Sequence, residues 1–104
     1  MMKSIILLCS AGMSTNLLLK KMKLAAEEFG VDVEIQALPL TSDTNAFKEA
    51  DVVLVGPQIR SELSLLQSVC HGQVEPINVV DYGTLDGEKV LAHALRLLGN
   101  NHEQ

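Results

Sequence analysis

Ser4-Ile5-Ile6-Leu7-Leu8-Cys9-Ser10-Ala11-Gly12-Met13-Ser14-Thr15-Asn16 is the stretch on which the fold turns. Its opening run, Ser4 to Leu8, is too brief for a helix and suits a strand buried on both faces. A helical pattern begins near Ser14. The residues between them are small, Gly12 permits a sharp turn, and the backbone N–H groups with the Ser10, Ser14 and Thr15 hydroxyls can converge on a phosphate-sized anion. A helix N-terminus carries free N–H groups and a partial positive charge. It therefore favours anions and should lower the thiol pKa of a cysteine placed beside it. Cys9 is the candidate nucleophile, and Ser10, Ala11, Gly12, Met13, Ser14, Thr15 and Asn16 form the candidate phosphate-binding loop. The alternative for Cys9 is a small buried hydrophobe that closes a strand.

The rest of the chain repeats the alternation of strand and helix. Leu18, Met22, Ala25, Ala26 and Phe29 recur at helical spacing, which predicts a helix from Ser14, its N-cap, to Phe29, with Gly30 supplying the left-handed stop. Val31, Val33, Ile35 and Ala37 alternate with polar residues and read as an edge strand. After the polar segment Thr41 to Asn45, the residues Ala46 to Ala50 allow a short helix at most. Val52-Val53-Leu54-Val55, closed by Gly56-Pro57, is a second fully apolar strand. Ile59, Leu63, Leu66 and Cys70 stripe a third helix that Gly72 ends, so Cys70 belongs to the core. A last strand spans Val74 to Val80, where Pro76 demands an edge position. A turn through Asp81-Tyr82-Gly83-Thr84 then leads to a helix from Asp86 to Leu98, stopped by Gly99.

These elements predict an α/β fold: one domain spanning residues 1–104, a four-stranded parallel sheet in the order 2-1-3-4, and helices on both faces. The order opens a crevice at the carboxyl ends of strands 1 and 3, where Cys9 lies. Gly56-Pro57-Gln58 forms its neighbouring wall, and Tyr82 reaches it from farther out.

Composition narrows the function. The chain has 104 residues, 47% of them hydrophobic, which suffices for one core. Its apolar N-terminal run is too short for a membrane span or a signal-peptide core, so no membrane insertion is expected and the expected location is cytoplasmic. Two distant cysteines make no disulfide framework. A net charge of −5 without a basic patch interleaved with aromatics argues against nucleic acid. No Cys or His pair falls at ligand spacing, so neither a metal nor any other cofactor is expected. His71, His93 and His102 have no sequence neighbour that marks a base or ligand. Arg60 either approaches the crevice or lies solvated on a helix.

Residues Ile6 to Thr15, Leu54 to Ile59, Asp81 to Gly83 and Asp86 to Leu91 carry a resemblance that covers nearly the whole chain. The sequence resembles the lactose/cellobiose-class enzyme IIB of the bacterial sugar phosphotransferase system. That resemblance implies a cytoplasmic phosphoryl carrier, and the free chain is expected to be a monomer. Its Cys9 would accept phosphate from a histidine of a IIA protein and pass it to a cellobiose-like or β-glucoside sugar entering through a membrane IIC permease. Two other readings compete. A low-molecular-weight cysteine phosphatase has a similar loop after strand 1, but places an arginine where this chain has Thr15, and no Asp-Pro acid motif is present. A redox-sensing thiol would need a resolving partner, which Cys70 on a core stripe does not supply.

Overall fold

The computed structural model describes residues 2–9, 13–41 and 43–99, and of Met13 and Ser14 the backbone alone. Four parallel strands, β1 (Lys3–Cys9), β2 (Val33–Pro39), β3 (Val52–Val55) and β4 (Gln73–Pro76), lie in the order β2-β1-β3-β4. Helices α1 (Met13–Phe29), α2 (Leu63–Val69), α3 (Val79–Gly83) and α4 (Gly87–Gly99) connect and cover them. The apolar strands β1 and β3 are central, with Leu7 opposite Leu54 and Leu8 opposite Val55. Pro76 pairs with Val55 on the outermost strand, where its missing N–H is left on the unpaired side of the sheet.

Alternation along β1 divides the core in two. Ile5 and Leu7 pack with Leu18 and Met22 of α1 and Val90 and Leu91 of α4. Ile6 and Leu8 face the other way, against Phe47, Ile59, Leu66 and Cys70. Cys70 is buried in that second cluster, as its stripe predicts, and burial pushes its thiol pKa up. By the same parity Cys9 falls on the face covered by α1 and α4.

Several boundaries differ from the sequence reading, and β2 is one of them: it runs Val33–Pro39 and leaves Val31 outside the strand. The helix α1 starts at Met13, so Ser14 lies inside its first turn instead of capping it. The third helix is split: Pro57–Glu62 is a 3-10 helix with a kink at Ile59, and regular α-helix begins at Leu63 and ends at Val69, before Gly72. The short helix expected between Ala46 and Ala50 is a 3-10 turn over Thr44–Ala46, where the Asp43 carboxylate accepts from the Asn45 N–H. Strand β4 stops at Pro76, and the expected turn at Asp81–Thr84 is largely the helix α3. Asn78 starts that helix by accepting hydrogen bonds from the N–H groups of Val80 (2.9 Å) and Asp81 (3.1 Å). Gly30, with φ +70°, ends α1 as expected.

Candidate active site

Cys9 is the last residue of β1, and the sheet's hydrogen bonding holds its backbone on both sides. Its carbonyl accepts from the Leu40 N–H at 2.9 Å, and the carbonyl of Leu8 accepts from the Gly56 N–H at 2.8 Å. Gly56 approaches the site closely: a Cβ on it would lie 3.0 Å from the Cys9 Cβ and 2.9 Å from the Gln58 Oε1. The turn after β3 is thereby pressed against the cysteine.

Four side chains from four parts of the chain meet at this edge. Thr15, on the first turn of α1 and 3% exposed, sets its Oγ1 2.6 Å from the Cys9 Sγ. The Thr15 Oγ1 is also 3.3 Å from the hydroxyl of Tyr82 on α3. Gln58, in the turn after β3, donates from its Nε2 to that same Tyr82 oxygen at 3.0 Å. An amide nitrogen donates only, so Tyr82 accepts from Gln58 and its single proton is free for Thr15. The Thr15 proton is in turn free for sulfur. The chain of bonds runs Gln58 to Tyr82 to Thr15 to Cys9, each donor strengthening the next and all of it directed at the sulfur. Cys9 itself is 4% exposed, so its sulfur is shielded from bulk water.

The loop expected to bind phosphate is reached only in part. Ser10, Ala11 and Gly12 lie outside the described residues. Met13 and Ser14 form the start of α1, Thr15 touches the sulfur, and Asn16 is exposed. Gln58 and Tyr82 stand where the crevice reading put them. The bond from Gln58 to Tyr82 and the contact of Tyr82 with Thr15 have no signature in the sequence. Arg60 is directed elsewhere, into a cleft beyond β4 that also holds Lys89, His93 and Arg96. His71 pairs with Glu49 at 3.0 Å on the surface, while His102 lies outside the described residues. Among the described residues no group of three His, Cys, Asp or Glu could hold a metal ion. Among them, too, no helix is long and apolar enough to cross a membrane.

The fold is a single parallel sheet in the order β2-β1-β3-β4 with a cysteine closing its first strand beside a helix start. The family model for the lactose/cellobiose-specific IIB subunit of the sugar phosphotransferase system (PTS) matches residues 4–93. The chain is 42% identical over 102 residues to a PTS oligo-beta-mannoside-specific EIIB component of Bacillus subtilis, covering 95% of this chain and 99% of that protein. It is 38% identical over 104 residues to a PTS galactose-specific EIIB component of Lactococcus lactis, covering 92% and 96%. The solution structure of a cellobiose-specific phosphotransferase IIB component from Borrelia burgdorferi superimposes with a TM-score of 0.78 at 31% identity, covering 96% of this chain and 94% of that one. The chain belongs to the lactose/cellobiose-specific IIB family, and its activity is that of a phosphotransferase component of sugar uptake.

Proposed function

We propose that Cys9 is the phosphoryl carrier, taking phosphate from a histidine of a IIA protein and giving it to a sugar presented by a membrane IIC permease. The observation that carries this reading is the hydrogen-bond chain from Gln58 through Tyr82 and Thr15 to the Cys9 sulfur. In the first step the thiolate attacks phosphorus. The S–P bond forms as the donor's N–P bond breaks, and that bonding pair stays on the histidine nitrogen. Thr15, relieved of the thiolate, turns its proton to a phosphoryl oxygen, and the loop Ser10 to Asn16 supplies further donors. In the second step a sugar hydroxyl oxygen attacks phosphorus, the S–P pair returns to sulfur, and the hydroxyl proton is released.

The same site supports a carrier over a hydrolase. A cysteine phosphatase clamps the phosphoryl oxygens with a guanidinium in the loop, and here that position is Thr15. Both arginines of the chain, Arg60 and Arg96, line a different cleft. A resolving thiol for redox sensing is not supplied by Cys70, which packs in the cluster of Ile6 and Leu8 on the opposite side of the sheet. The sugar proposed is cellobiose or a related β-linked disaccharide. Two of the similar proteins bear names of that class, oligo-beta-mannoside and cellobiose. The protein works on the cytoplasmic side of the membrane as a monomer between encounters. In the test, phosphorylated protein is followed alone and after addition of IIA or sugar-loaded IIC. Slow loss alone and fast loss to a partner are expected. Turnover of an aryl phosphate at about one per second or faster, a rate typical of enzymes, would contradict the carrier reading.

A further inference from the structure

A cleft of about 640 Å³ opens along the outer side of β4, between α4 and the segment from Pro76 to Asp81. Arg60, Lys89 and Arg96 line it, so three of the eight lysines and arginines of a chain with net charge −5 meet in one concavity. Among the described residues none of the three forms an ion pair. Carboxylates near them include Asp81, in the lining, Asp86, whose Oδ1 accepts from the Lys89 N–H at 3.1 Å, and Glu75, whose Oε1 lies 3.9 Å from the His93 Nε2. Lys89, His93 and Arg96 fall at positions i, i+4 and i+7 of α4, one face of the helix. At 1.5 Å of rise per residue they spread over about 10 Å, with Arg60 lining the same cleft from the turn after β3. A row of that length suits several carboxylates spread over a protein surface. At the lip Val79 and Val80 are 57% and 69% exposed and offer apolar contact. The cleft shares α3 with Tyr82 and the turn after β3 with Gln58, so whatever fills it stands at the edge of the cysteine site.

We propose that this cleft docks an acidic surface of the phosphorylated IIA donor, an inference that rests on the carrier reading. Charge movement favours the donor over the acceptor as occupant. A donor bearing phosphohistidine is the more negative for its phosphoryl group and meets a cleft whose neighbouring sulfur is still unphosphorylated. Transfer moves that negative charge onto the protein that owns the cleft. Attraction falls on both sides, and the spent donor is released.

The test measures initial rates of phosphoryl transfer from a phosphorylated lactose/cellobiose-class IIA protein to the full chain, over a range of donor and salt concentrations. Lys89→Glu combined with Arg96→Glu alters two exposed side chains. It should raise the KM for the donor about tenfold or more, leave kcat unchanged and flatten the salt dependence. Arg60→Ala should act in the same direction more weakly. The control, Lys3→Glu with Lys23→Glu, makes the same change in net charge at the amino ends of the strands and should leave KM near the wild-type value. Circular dichroism verifies that each variant is folded. A wild-type KM and salt dependence in the cleft variant, or equal effects from the control, overturns the docking proposal while labelling of the wild type leaves the carrier reading standing. Loss confined to delivery from phosphorylated protein to sugar overturns the choice of occupant. A wild-type chain that accepts nothing from IIA overturns both.

Discussion

The hydroxyls of Thr15 and Tyr82, 67 residues apart in the chain, lie 3.3 Å from each other and join the start of α1 to the helix after β4. This contact ties the cysteine to the far side of its crevice. Through it, Gln58 and Tyr82 act on a sulfur that neither touches.

Removing the link at its middle gives the first prediction. Tyr82→Phe keeps the half-buried ring and deletes the hydroxyl, leaving Thr15 to orient its proton alone. One hydrogen bond of ordinary strength corresponds to about a threefold to tenfold loss in transfer rate. An unchanged transfer rate would show that the Tyr82 hydroxyl does not act on the sulfur.

Thr15 should be more sensitive. Thr15→Val conserves shape at a 3% exposed position but cannot donate to sulfur or phosphate, whereas Thr15→Ser keeps the hydroxyl. Transfer should fall about tenfold to a hundredfold in the valine variant, in the range of a lost bond to a charged group, and recover largely in the serine variant. Thermal melting tells a folding defect from a chemical one.

Crowding the other wall gives a third outcome. Gly56→Ala places a methyl 3.0 Å from the Cys9 Cβ and 2.9 Å from the Gln58 Oε1. Gln58 must swing away, and the cysteine backbone must yield. A stability loss of about 1–3 kcal/mol, as for overpacked sites, should accompany slower transfer. Wild-type rates in this variant would mean that the turn after β3 has no part in positioning Cys9.

How much of this was legible in the sequence follows from which forces leave a local trace. The uninterrupted apolar runs Ile5–Leu8 and Val52–Val55 identify the central strands, and Pro76 identifies an edge, so the order of the sheet can be read directly. Cys9 at the end of the first run is equally plain. The helix α3 was missed because Val79 and Val80 read as a continuation of the β strand, while the Asn78 cap that starts the helix is a single side chain. The left-handed residue beyond it is Leu85, with φ 54°. The contact of Gln58 with Tyr82 across 24 residues is tertiary and leaves no pattern to read. The cationic cleft was invisible for the same reason: Arg60, from the turn after β3, and Arg96, from α4, border one cleft only in the folded chain.

Cys70 makes a prediction about stability alone. Its thiol pKa is raised by burial above the ordinary 9.0. Unfolded chains lose this proton near the ordinary value and folded ones hold it. The thiol's contribution is therefore present below that value and lost as pH climbs toward the folded pKa. Urea titration at pH 7 and pH 10 should show a larger fall in stability for the wild type than for Cys70→Ala. At pH 7 the alanine variant should be weaker by about 1 kcal/mol, and it should transfer phosphate normally. Loss of transfer with the fold intact would assign Cys70 a chemical role.

The central claim is that phosphate resides on Cys9. The protein is incubated with phosphoenolpyruvate, the general phosphotransferase components and a lactose/cellobiose-class IIA protein, and the added phosphate is located by mass spectrometry. The account predicts one phosphoryl group, on Cys9, and none in Cys9→Ser. Phosphate on a histidine of this chain, or labelling that survives Cys9→Ser, would contradict it.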